Sequence, residues 1–169
     1  VTCVDNGMPV ILLRADDLGV SGCESPDELN ANEALKSRLE SIRLQAGPLM
    51  NLGNVADKAV PKMCLISPAR NGGLIDTRTF IPHKCHVAIG VLGAVTVAAG
   101  CIIPGSVAEN LVDVPAGSQK QLSVEHPAGE FSVLLQVNES ASMPVIERAG
   151  LVRTARLLSR GVAYTPAKH

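Results

Sequence analysis

The chain has 169 residues, a formal net charge of −1 and an aromatic content of 2%. That length is enough for one domain, or two small lobes at most, with a real core. A near-neutral chain so poor in rings lacks the basic face and stacking platforms of a nucleic-acid surface, so no nucleic-acid partner is expected.

Taken in order, Val1 to Val4 is β-rich, Asp5-Asn6-Gly7 has turn chemistry, and Met8 to Leu13 is a second apolar run. This reads as strand, tight turn, strand. Asn6 and Gly7 tolerate positive φ, so they suit either a hairpin turn or a binding loop. Ser25-Pro26-Asp27-Glu28 is a capping-box start with Pro at the first helical position. Leu35, Leu39 and Ile42 follow at helical spacing, Gly47-Pro48 marks the end, and Glu33, Lys36, Glu40 and Arg43 are expected to face water. Lys62 to Ser67 and Leu74 to Phe80 read as strands joined by an Arg70-Asn71-Gly72-Gly73 turn. On the second, Asp76, Arg78 and Phe80 share a face, and Arg78 either pairs near Asp76 or points at a ligand.

From Val87 to Ile103 there is no charge, and apart from a thiol only Thr96 is polar. A helix apolar all round is buried in lipid or in protein. Its small Ala and Gly side chains and the lack of basic flanks favour a core helix, so no membrane span is expected. His83, Lys84 and His86 precede it, and unpaired amides at a helix start favour an anion. Ser106-Val107-Ala108-Glu109 is a second capping-box pattern, for a short helix. Leu122 to Glu125 and Phe131 to Val137 form a hairpin about His126-Pro127-Ala128-Gly129. Gly150 to Arg160 reads as an amphipathic helix, and Val162 to Tyr164 as a last short strand. The expected class is α+β, with hairpins wrapped round a central helix and outer helices covering the rest.

The five cysteines, at positions 3, 23, 64, 85 and 101, have no close zinc spacing, so we expect free thiols in a reducing cytoplasm. Cys85, beside Lys84 and near the expected helix start, should have a lowered pKa, which suits an acid or base or a bystander thiol. His83, Cys85 and His86 lie too close in sequence to share one tetrahedral metal, so no metal is expected. The first residues, VTCVDNGMPVILLRA, carry neither an initiator Met nor the regions of a signal peptide.

Three stretches, VTCVDNGMPVILLRADDLG, TRTFIPHKCHVAIGVLGAVTVAAGCIIPG and GLVRTARLLSRGVAYTP, together resemble the C-terminal half of the 2-methylaconitate isomerase and 4-oxalomesaconate tautomerase family, within the diaminopimelate-epimerase-like fold. The resemblance implies two similar lobes, each an antiparallel sheet rolled round one helix, with the active site between them; residues 1–169 would be one such lobe. It further implies a cofactor-free allylic proton shift or cis-trans isomerisation in a small unsaturated tricarboxylate. The wider fold places a cysteine at the helix start, where this chain has Ile89 within AIGVLGA, which implies that the catalytic lysine and cysteine belong to the other lobe. The substrate-binding set is then Asn6, Gly7, Arg78, His83, Lys84, His86, Gly90 and Val91.

The expected partners are the tricarboxylate and an N-terminal lobe on the same or a second chain; alone, the chain should be inactive and self-associate into homo-oligomers through the uncovered face. The competing expectation is a non-catalytic carboxylate-binding or assembly subunit.

Overall fold

The computed structural model describes residues 1–140 and 143–164. One seven-stranded sheet takes its strands in sequence order: β1 (Thr2–Asp5), β2 (Pro9–Arg14), β3 (Lys62–Pro68), β4 (Ile75–Phe80), β5 (Gln119–His126), β6 (Gly129–Asn138) and β7 (Val145–Leu151). The helices are α1 (Pro26–Ala31), α2 (Glu33–Leu49) and α3 (Val91–Cys101). The sheet curls so that α3 packs against β1, β2, β5, β6 and β7, the rolled α+β arrangement expected.

The sheet is mixed where an antiparallel one was expected, since β2 pairs with β3, and β4 with β5, in parallel. Parallel neighbours need a crossover, and crossovers are right-handed. Because β3 and β4 are antiparallel, the two parallel pairs run in opposite directions, and the same hand puts their helices on opposite faces. The packing agrees with this. Val10, Leu12, Cys64 and Ile66 pack with α3, while their neighbours Ile11, Leu13, Met63 and Leu65 pack with Leu29, Leu35 and Leu39 of α1 and α2. Period-two alternation thus builds two cores, one on each side of β2 and β3.

Close approach explains the small residues of α3. A Cβ at Gly100 would lie 2.4 Å from Leu12 Cδ1, so the helix sits directly on the sheet. The helix is also shorter than expected, beginning at Val91 and not at Val87, because residues 85 and 86 are held by β4. Phe80 bridges Cys85, and the His86 amide donates to the Thr79 carbonyl at 2.9 Å.

Ser25 forms the expected capping box, its hydroxyl accepting from the Glu28 amide and the Glu28 carboxylate from the Ser25 amide. The single helix expected there is divided at Asn32, whose side chain accepts from the Leu35 amide at 3.0 Å and so caps α2. Gly47 does not end α2. It makes room for Val55, whose methyls would lie 2.5 and 2.7 Å from an added Cβ, and the helix stops at Asn51, with φ 59°. Arg43 corrects the water-facing expectation, for it is fully buried. Its Nη1 donates to the carbonyls of Val55, Lys58 and Val60, and Glu40 closes the guanidinium's other side.

Two further expectations fail. Residues 106–111 form successive turns without a helix, because Glu109 reaches back to the Gly105 amide and the box at Ser106 never closes. The helix read into Gly150 to Arg160 is replaced by β7, where Gly150 pairs with Leu134 and Leu151 with Val133; residues 152–164 have no regular structure, so the strand at Val162 to Tyr164 is absent as well. Residues 165–166, at the end of the third stretch quoted above, lie outside the described residues.

Candidate functional site

The start of α3 leaves helical amides without side-chain caps. Gly90 is its N-cap and makes no side-chain capping bond; the first intrahelical bond runs from the Ala94 amide to the Gly90 carbonyl. The amides of Val91, Leu92 and Gly93 therefore have no helical partner, and Gly90, Val91 and Leu92 are exposed. Positive dipole and free N–H groups coincide at this point.

The β1–β2 loop is docked beside it. Thr96, the one polar side chain of the apolar helix, donates its hydroxyl to the Met8 carbonyl at 3.0 Å. Gly7, at φ 94°, turns the loop beside Leu92, whose Cδ2 would be in ordinary contact, 3.6 Å, with an added Cβ. The left-handed φ excludes most other residues there. Next to it, the Asn6 side-chain nitrogen is buried without a hydrogen-bond partner. A buried amide donor left unpaired costs about 1–3 kcal/mol.

Of the expected site residues, Asn6, Gly7, Gly90 and Val91 come together here. Arg78 does not, and this corrects its assignment as a ligand contact. It lies on the opposite sheet face from α3, 2% exposed, with Nη1 2.8 Å from Asp76 Oδ1 and Nε donating to the Glu24 carbonyl at 2.7 Å. Arg70 holds the other Asp76 oxygen, also at 2.8 Å. The pairing alternative left open in the sequence is the one realised.

His83 is exposed but faces α2, its Nδ1 3.4 Å from Glu40 Oε2. Lys84 and His86 are exposed on the same loop. Cys85 is the second correction. It is buried, its amide donating to the Asn30 side chain, and burial pushes the thiol up to about 11 despite the nearby Arg78. The lowered pKa expected from a helix start is not found, because α3 begins six residues later and the thiol is buried. Among the described residues, no three His, Cys, Asp or Glu side chains are grouped to hold a metal, and no helix is long and apolar enough to cross a membrane.

Two polar groups were not singled out in the sequence. Glu125, 2% exposed, accepts from the amides of Arg70, Asn71 and Gly73 at 2.8–2.9 Å. Burial raises its pKa, but those amides and the Asn71 side chain more than offset this and hold it below the usual carboxylate value. The Gly-rich turn 70–73 facing an acidic strand end was the available signal. His126 closes β5, its ring tilted on Phe131 at 5.4 Å between centroids. Burial lowers its pKa, against the opposing pull of Asp76 and the Val87 backbone.

Residues 1–166 match the family model described as PrpF protein. The chain is 58% identical over 162 residues to a 4-oxalomesaconate tautomerase of Pseudomonas putida, covering 96% of this chain and 44% of that protein. It is 51% identical to a (4E)-oxalomesaconate Delta-isomerase of Novosphingobium, covering 97% and 45%, and 29% identical to a 2-methyl-aconitate isomerase of Shewanella oneidensis, covering 98% and 45%. A crystal structure of methylitaconate-delta-isomerase superposes with a TM-score of 0.76 at 19% identity over 90% of this chain and 45% of that one, a likeness of fold. The chain spans about half the length of the curated relatives it matches. On the strength of the family match over nearly its whole length, the chain belongs to the PrpF protein family.

Proposed function

We propose that this chain is the carboxylate-binding lobe of an isomerase that shifts a proton along an unsaturated tricarboxylate, with a second lobe completing the site. The observation that carries the reading is the uncapped start of α3 beside the unpaired Asn6 amide. The names of the relatives, tautomerases and isomerases of oxalomesaconate and methylaconitate, support the substrate class.

The chemistry follows from charge. Removing a proton α or vinylogous to a carboxylate spreads a second negative charge onto that carboxylate as an extended enolate. The amides of Val91, Leu92 and Gly93, with Asn6 Nδ2, meet that charge with dipoles already oriented; one such donor contributes about 2.7–4 kcal/mol to a transition state. Gly7 turns the loop that presents Asn6. Lys84 and His86, exposed on the preceding loop, supply cations for an outer carboxylate, with His83 held back by Glu40. The proton itself is carried by the other lobe, because Cys85 is buried and protonated and Ile89 has no acid-base group. That lobe also covers Val87, Val91 and Leu92, exposed by 65%, 42% and 47% around the site. Five free thiols support a reducing, cytoplasmic setting.

The test is proton NMR of the full-length protein with 4-oxalomesaconate and 2-methylaconitate in deuterated water. Double-bond migration with deuterium entering the substrate without added cofactor is expected. Tight binding without turnover of either compound would favour the non-catalytic, carboxylate-binding subunit, and absence of binding would end both readings.

A further inference from the structure

Thr96 is fully enclosed, in a helix whose only other polar side chain is the Cys101 thiol. A threonine in a helix commonly returns its hydroxyl to the carbonyl four residues back, here that of Leu92. The Thr96 hydroxyl instead leaves α3 and donates to the Met8 carbonyl at 3.0 Å, across 88 positions of sequence. Leu92 lies one turn before Thr96 on the same helix face, and Leu92 is the side chain beside Gly7. Gly7 and Met8, consecutive in the β1–β2 loop, therefore meet α3 at two points a turn apart, one apolar and one polar. Within the loop, Asp5 Oδ1 accepts the Gly7 amide at 3.1 Å, a turn that spans Asn6. Met8 lies outside the β1–β2 register, which closes at Asp5 and Pro9. Among the described residues, the Thr96 bond is the one hydrogen bond that joins residues 6–8 to α3.

We propose that Thr96 is a positioning residue for the binding site, holding the Met8 carbonyl, and through that short turn the Asn6 side chain, in register with the amides that open α3. The inference rests on the site proposed above, but the hold on the loop can be tested separately. Apolar contact between Gly7 and Leu92 is non-directional and lets the loop slide along the helix. A hydrogen bond has a preferred distance and angle, so the hydroxyl sets where along α3 the loop stops. Its donor end is fixed by burial on every side of Thr96, and its acceptor end sits two residues from Asn6.

The test compares Thr96→Val, which keeps the shape and loses the donor, with Thr96→Ser, which keeps the donor, in the full-length protein titrated with cis-aconitate. Thr96→Val should weaken binding about three- to fivefold, and Thr96→Ser should bind as wild type does. In a double-mutant cycle, Thr96→Val added to Asn6→Leu should cause no further loss, because the donor it positions is already gone. Amide hydrogen exchange at Gly7 and Met8 should quicken about three- to tenfold in Thr96→Val, with Val4, Val10 and Leu12 unchanged. Equal binding by the Val and Ser variants, losses that multiply in the double variant, or faster exchange spread through β1 and β2 would overturn the proposal. Should wild type bind no cis-aconitate, the proposed function falls, while the Val–Ser contrast in exchange at Gly7 and Met8 still decides whether Thr96 holds the loop.

Discussion

Two polar assemblies lie on opposite faces of the sheet, and they differ in how completely they are satisfied. On the α1 side, Asp76 is clamped by Arg70 and Arg78, and Glu125 by three amides of the 70–73 turn. On the α3 side, neutral amides at a helix start and the Asn6 side-chain nitrogen have no partners among the described residues. The formal charges that look most like ligand contacts are consumed by the chain itself. The unpartnered groups at the start of α3 are uncharged, so composition and charge pattern do not point to them.

Breaking the closed assembly should have the largest effect. Asp76→Ala leaves two arginines uncompensated, Arg78 fully enclosed, and should cost about 3–5 kcal/mol in urea denaturation. A loss below about 1 kcal/mol would mean that the pair is a surface contact and that Arg78 is free to serve a ligand.

Next is Glu125→Gln, which removes the charge from bonds to three amides and should cost about 1.5–3 kcal/mol at neutral pH. The folded pKa of Glu125 is depressed, so its stabilisation is full above the unfolded value of about 4.3 and is lost as pH falls through the lower folded value. The variant should therefore converge on wild type in acid. A constant gap at every pH would assign the loss to shape and not to charge.

On the open side the effect should reverse in kind. Asn6→Leu removes an unpaired buried donor, so stability should hold or rise, while cis-aconitate binding weakens by about 1 kcal/mol, roughly fivefold. A variant that loses stability but binds normally would make Asn6 a structural residue. Smallest of all, Lys84→Ala should leave stability within about 0.5 kcal/mol of wild type and weaken binding about twofold, only at low salt. A salt-independent loss would place Lys84 in direct contact.

The same contrast marks what was legible in the sequence. The apolar runs Met8 to Leu13 and Lys62 to Ser67, the Ser25 capping box and the charge-free run before Cys101 each follow from local rules, and each stands in the structure. Asn6-Gly7 was readable as a turn, but its dock on Leu92 depends on a pairing across more than eighty residues. Arg43 sits four residues after Leu39 and eight after Leu35, on the apolar stripe itself, yet its charge argued for water; only the carbonyls of Val55, Lys58 and Val60 explain its burial. Leu151 carries a helical pattern, but pairing with Val133 at a sheet edge overrides it. Parallel pairing of β4 with β5 had no local signature.

Backbone amide NMR during titration of cis-aconitate into the full-length protein tests the division of labour between the two faces most directly. Val91, Leu92 and Gly93 amides and the Asn6 side-chain amide should shift together and saturate at one ligand concentration, with the Arg78 Nε–H unmoved. A saturable shift at Arg78 with the α3 amides silent would contradict it, and would return the site to the charged face.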